Sequence, residues 1–486
     1  MLARWRTATR DELIAELERQ QREIERLRHE HERADRDRNR YRRERDTLRK
    51  KIDRLEDDLD KARRQLQRQA APFSRGTPRR PPRRSGRQPG AAYGRKAHRP
   101  PPPQVDEQYA APLPARCPDC GGALAVTGHA TQHQEDLPLV RPIVRAFHIE
   151  IGHCAACHRR VQGRHPLQTS DALGAASNQL GPMAVTWAVI LNKQFGVPLG
   201  KIARLFRDRF RLSVTCGGLV HAIRRAARQA EPTYDGLAAQ IRGSPIVTPD
   251  ETGWKVAADL HWLWTFVTPD TTVFRIVRGR GFEEAATVLG ADFAGVLVRD
   301  GWAPYRRFRA AVHQTCLAHL LRRCRTLIRD QRDHHFAPPV QHVLQHALAV
   351  RDRYRAGTIS AHGVAVARGH LQNQLNALID RPGRRRVAQN FATHLAIEFP
   401  AVFTFLLDPD AIDATNWRAE HALRPAVVTR KVCGRNRSAR GAHTQEVLAS
   451  VLRTIQQRDL DASVILPQLL RSPQPTTALA PPPTVQ

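Results

Sequence analysis

Two kinds of residue in this 486-residue chain have the type and spacing to do chemistry: paired cysteines, and acids set into apolar strand-like runs. Cys117-Pro-Asp-Cys120 and Cys154-Ala-Ala-Cys157 are C-x-x-C pairs separated by 33 residues. Cys117, Cys120, Cys154 and Cys157 offer four thiolates, enough to close one tetrahedral Zn²⁺ site. Gly121 and Gly122 follow the first pair, where the chain must turn sharply. Phe147, Ile149 and Ile151 alternate with polar residues, as on a half-buried strand. This is the sequence of a zinc ribbon, with His153 and His158 as bystanders. The acids lie further on. Asp250 and Glu251 stand in the middle of Ile246–Val256, and Asp300 ends the short apolar run Gly295–Arg299. Two carboxylates pinned on neighbouring strands can bridge hard divalent cations, Mg²⁺ or Mn²⁺. Glu420, on the otherwise basic helical stretch Asn416–Pro425, supplies a third acid.

The elements that must position these acids follow from hydrophobic periodicity. Residues 246–256, 261–267 and 272–277 read as three antiparallel strands, 282–290 as a helix, 295–300 as a fourth strand, and 312–323 as a fifth strand entering a basic helix. That order is similar to a ribonuclease-H-like sheet, here over residues 240–445. The 119 residues between Asp300 and Glu420 exceed a minimal fold. Residues 325–410, with Val340, Leu344, Leu371 and Leu375 at helical spacing, read as a helical insertion. Upstream, 170–235 reads as three helices, with Thr215 as N-cap of the third. That helix carries Leu219, Ile223 and Ala227 inward and Arg224, Arg225 and Arg228 outward, which resembles a helix-turn-helix domain. The class is therefore multidomain α+β, closing at 446–486 with C-terminal helices and a disordered tail.

The N-terminal 1–70 reads as a coiled coil. One seam carries Leu17, Ile24, His31, Arg38, Arg45, Ile52, Leu59 and Leu66; the other carries Leu13, Gln20, Leu27, Ala34, Tyr41, Leu48, Leu55 and Ala62. Its apolar ends and polar middle imply a homo-oligomer with a weak centre. Residues 71–115 hold eleven prolines, and 71–105 hold nine Lys or Arg and no acid. They read as a basic, disordered linker, followed by the zinc ribbon at 116–165. The whole chain has 78 Lys plus Arg against 47 Asp plus Glu, a formal net charge of +31. That excess favours a polyanionic partner such as nucleic acid. No apolar run approaches the ~18 residues of a membrane span, and no signal core opens the chain. Eight cysteines are too few for a disulfide scaffold. A membrane or secreted protein is not expected.

The motifs DETGW (250–254), RDGWAPY (299–305), CLAHLLRR (316–323), AEHALRP (419–425) and RKVCGRNRSARGA (430–442), behind a heptad arm and a paired C-x-x-C ribbon, occur in one order along the chain. In this the chain resembles the insertion-sequence-sixty-six family of bacterial DDE transposases. The resemblance implies a catalytic triad of Asp250, Asp300 and Glu420 holding Mg²⁺, and cleavage and transfer of double-stranded DNA at element ends. Around such a triad Arg424, Arg430, Lys431, Arg435 and Arg437 are expected to neutralise backbone phosphates, and Arg322, with His319, could orient a scissile phosphate, though packing or general basic surface is the more ordinary role of each. Accessory element-encoded proteins and a place at the bacterial nucleoid, in the cytoplasm, belong to the same expectation. His421, Trp417, Arg435 and Ala439 depart from the family pattern. The alternative is a non-catalytic, zinc-containing DNA-binding regulator or an inactivated transposase copy.

Overall fold

The structure, a computed structural model, describes residues 9–69, 101–138, 140–174, 179–434, 436–471 and 476–480. Contacts divide the chain into two units, Met1–Pro103 and Gln104–Gln486. In the first, α1 (Arg10–Gln69) is one uninterrupted 60-residue helix. Its start is a capping box: the Thr9 N–H donates to the Glu12 carboxylate at 2.9 Å, and the Glu12 N–H donates to the Thr9 hydroxyl at 3.4 Å. Pairs such as Arg19–Glu16 and Arg26–Glu23 lace its surface. Each adds a few tenths of a kcal/mol. Leu17, Ile24, Leu27 and Leu48 of the expected seam face solvent in the single chain.

In the second unit residues 104–115 form neither helix nor strand. β1 (Ile151–His153) and β2 (Arg160–Gln162) pair antiparallel. The strand expected from Phe147 onward begins only at Ile151, and the Phe147 ring lies against His165, 5.4 Å between centroids. Then come α2 (Pro182–Val189), which continues as a π turn over Ile190–Gln194, α3 (Leu199–Phe210) and α4 (Cys216–Arg242). Thr215 caps α4, its hydroxyl accepting the Gly218 N–H at 3.0 Å. β3 (Ile246–Val256), β4 (Asp259–Val267), β5 (Thr272–Val277), α5 (Phe282–Leu289), β6 (Val296–Arg299) and β7 (Val312–Thr315) follow. The rest is helical: α6 (Leu317–Asp330), α7 (Ala337–Arg355), α8 (Ala361–Asp380), α9 (Arg386–Val402), α10 (Trp417–Cys433), α11 (Ala439–Gln457) and α12 (Ala462–Leu469).

The five strands form one mixed sheet in the order β5-β4-β3-β6-β7. β3, β4 and β5 run antiparallel; β6 and β7 lie parallel to β3. Period-2 alternation divides the side chains between two cores. Trp264, Phe266, Val247 and Val273 pack with α4 and α11 on one face. Leu263, Val267 and Phe274 pack with Ala419, Ala422 and Ala426 of α10 on the other. The small residues let α10 lie close to the sheet. A third core joins Val298 of β6 to the apolar stripes of α6 to α9. This mixed sheet with helices on both faces is consistent with a ribonuclease-H-like core.

The outer edge of β5 is closed by side chains rather than by another strand. Glu446, Ser450 and Thr454, four residues apart on α11, accept the N–H groups of Ile276, Phe274 and Thr272 at 2.6, 2.8 and 3.1 Å. An exposed edge would present those N–H groups for pairing with another chain.

Candidate active site

β3 is the central strand, and its parallel neighbour β6 ends one residue before Asp300. Strand adjacency therefore brings Asp250 and Asp300 together across 49 intervening positions. α10 crosses the same sheet and carries Glu420 in its first turn. Desolvation of the Asp250 carboxyl, and then the charges of Glu251, Asp300 and Glu420, push its pKa well above the ordinary carboxylate range. Asp300 is held by its own loop: its carboxylate accepts the Trp302 N–H at 2.9 Å. Glu420 lies 3.8 Å from His319 Nε2 at the start of α6. Burial first, and then Arg322, lower the His319 pKa.

Glu251 points the other way and is fully engaged. Its carboxylate accepts the Tyr305 hydroxyl at 2.5 Å and the Arg280 guanidinium at 2.7–2.8 Å. Arg280 lies between two indoles, 4.5 Å from the Trp262 ring centre and 3.9 Å from that of Trp302. This cluster ties the DETGW and RDGWAPY segments together. Behind Asp300, Arg299 is buried and bonded to Glu398 of α9, which also accepts the Arg306 guanidinium at 3.0 Å and the Thr315 hydroxyl at 2.5 Å. Arg280 and Glu398 are absent from the sequence reading. The only signal for Arg280 is a cation in a glycine-flanked turn between two tryptophan-bearing segments.

Of the cations expected to meet phosphate, Arg322, Arg424, Lys431 and Arg437 are exposed. Arg430 instead bonds the Gly253 carbonyl and lies over the Trp254 ring, so it braces β3. Arg435 lies outside the described residues. Asn436 beside it accepts the Trp254 indole N–H at 2.8 Å, docking the RKVCGRNRSARGA segment on β3. His421 accepts a hydrogen bond from Arg453 at 2.8 Å, and Trp417 is half exposed. On α4, Arg224 is half-buried, Arg225 donates to Gln179 at 3.0 Å and Arg228 is exposed.

The two cysteine pairs fold as the same turn. In the first, the Cys117 N–H donates to the Gly122 carbonyl and the Gly121 N–H to the Cys117 carbonyl; in the second, Cys154 and Arg159, then His158 and Cys154, repeat both bonds at 2.9–3.0 Å. Gly121 (φ 74°) and His158 (φ 55°) take the same left-handed position after the second cysteine. Backbone N–H groups of Cys120 and Asp119 lower the Cys117 thiol pKa, and those of Cys157 and Ala156 lower that of Cys154. These knuckles suit a thiolate-binding ion.

Among the described residues no group of three or more His, Cys, Asp or Glu side chains is gathered closely enough to hold a metal ion. The knuckles stand as two separate pairs, and Asp300 and Glu420 are felt by Asp250 as charges without the three forming a ligand cluster. Like charges repel, so the acids have cause to stand apart. The donor set nonetheless suits a hard divalent cation: oxygen donors, with uncompensated negative charge around a desolvated carboxyl. Among the described residues no helix is long and apolar enough to cross a membrane. No curated protein matches the chain. The family profile described as Transposase IS66 family matches residues 178–444, more than half of it.

Proposed function

From the premise that the chain belongs to the IS66 family of transposases, whose members act in DNA transposition, we propose that it cleaves double-stranded DNA at the ends of its element and joins them to target DNA. Asp250, Asp300 and Glu420 form the catalytic triad. The observation that carries this reading is the topology: β6 lies parallel beside the central β3, so Asp300 follows the end of the strand next to Asp250, and α10 packs on the same face of the sheet with Glu420 in its first turn. These three residues would hold Mg²⁺ or Mn²⁺, which when bound supplies Lewis-acid stabilisation of charge on the phosphodiester oxygens.

The chain's own residues do the positioning. The Trp302 N–H fixes the Asp300 carboxylate. Glu251 acts as an anchor, since Tyr305 and Arg280 occupy both its oxygens. His319, its pKa lowered first by burial, stands 3.8 Å from Glu420 and positions it. Arg322, Arg424, Lys431 and Arg437 meet backbone phosphates; Arg430 serves them indirectly by holding β3. Cys117, Cys120, Cys154 and Cys157 close a structural zinc site when the two knuckles meet, and α1 drives self-association. The chain works in the bacterial cytoplasm, at the nucleoid, with accessory proteins of the element as further partners.

The test is strand cleavage on a duplex carrying the element's own terminal repeats, with and without Mg²⁺. Asp250→Asn, Asp300→Asn and Glu420→Gln should each lower cleavage by about 10³-fold or more, a loss of some 4 kcal/mol of transition-state stabilisation. DNA binding should persist, because it rests on Lys and Arg. Glu251→Gln should be milder. A wild-type protein that binds these ends yet never cuts them would instead be the non-catalytic regulator.

A further inference from the structure

The basic helix that the sequence offers as a DNA reader, α4, lies largely inside the molecule. Ala222, Ala226 and Ala230 are buried along with Leu219, Ile223 and Ala227. The helix packs on α2, α3, α5 and α11. The neighbouring α3 is built the opposite way. It buries Ile202 and Phe206, one turn apart, and exposes Lys201, Arg204, Arg207 and Arg209, with Arg211 exposed just past its end. The sole acid of this stretch, Asp208, is ion-paired with Arg207 at 2.9 Å.

Past Arg211, which turns the chain with φ 54°, residues 213–215 lead into the capped start of α4. Between α3 and this turn lies a cleft of about 410 Å³ lined by Arg204, Arg207, Ser213 and Thr215 over Gly200 and Ala203. No acid lines it. α4 begins at Cys216, just past this cleft, and its first turn adds partial positive charge near the cations. Guanidinium groups and hydroxyls thus line one opening, donors that phosphodiester oxygens accept from.

We infer that the α3 face and this cleft are the principal seat of backbone phosphates of duplex DNA in residues 170–235, with the α4 arginines in a minor part. This rests on the reading of the chain as a DNA-binding transposase. Full-length protein and a duplex bearing the element's end would be titrated over a salt series. Arg204→Ala with Arg207→Ala should weaken binding about tenfold or more at moderate salt. It should also flatten the slope of log affinity against log salt by about two, since each phosphate contact contributes about 0.9. Arg204→Lys with Arg207→Lys should restore most of the slope, which separates lost charge from lost fold. Arg224→Ala with Arg228→Ala should leave the slope within about half a unit. An unchanged slope in the α3 alanine pair, or an equal fall in the α4 pair, overturns the inference and leaves the DNA-binding reading intact. A wild-type protein with no salt-dependent DNA affinity overturns both.

Discussion

Asp250 occupies a place where a carboxylate is costly, on the central strand, desolvated and facing the charges of Glu251, Asp300 and Glu420. Its pKa is raised, so between about 4, the unfolded value, and its folded value the native state binds more protons than the unfolded chain. Stability from this group therefore falls as pH rises through that window. Asp250→Asn should raise the melting temperature of metal-free protein near pH 7–8 and flatten its decline from acid to neutral pH. Added Mg²⁺ should raise the melting temperature of the wild type more than that of the variant. Thermal melts over pH check both points, and a variant less stable than wild type at every pH would count against a strained carboxyl. The places of Asp250 and Asp300 were legible in the sequence, because a strand centre and a run end mark them, whereas Glu420 was singled out as an acid on a basic helix and by the family resemblance. Arg280 and Glu398 were not. Their partners lie 29 and 99 positions away, and no local pattern encodes a pairing made only by the closed fold.

The strands were the legible elements. β3 and β5 span the residues that alternation predicts, and β6 stops one residue short of Asp300. Thr215 caps α4 as its place before the helix implies. The burial of α4 was hidden, because alanines at 222, 226 and 230 carry little hydrophobic signal beside arginines that dominate the pattern. The polar ladder of α11 was hidden for a related reason: Glu446, Ser450 and Thr454 look like a solvated helix face, yet each is buried against an N–H of β5. A consequence can be measured. Ser450→Ala removes the acceptor for the Phe274 N–H and leaves that donor buried, at a cost of about 1–3 kcal/mol. Denaturant unfolding should show that loss. A change below about 0.5 kcal/mol, the size of an ordinary surface substitution, would mean that water or a neighbour replaces the hydroxyl.

At the scale of the whole molecule, the expected apolar seam lies in the first unit, and the cysteine pairs and the acids lie in the second. The first unit is a helix that leaves Leu17, Ile24, Leu27 and Leu48 in water, where the proposed self-association would cover them with another copy. Deleting residues 1–70 should therefore lower the mass found by light scattering. It should leave about one Zn²⁺ per chain, because the four cysteines lie in the second unit. Cys117→Ser with Cys154→Ser should do the reverse, emptying the zinc site while the mass stays high. The centre of the arm gives a sharper test than its removal. His31, Arg38 and Arg45 occupy consecutive seam positions, where like charges of a parallel partner would meet. If self-association runs through that seam, Arg38→Leu with Arg45→Leu should strengthen it, shifting the dissociation midpoint to lower protein concentration and weakening its dependence on salt. If α1 is instead a solitary helix held by its own ion pairs, the same substitutions should leave the mass unchanged at low concentration, and the oligomer would have to be built from the second unit.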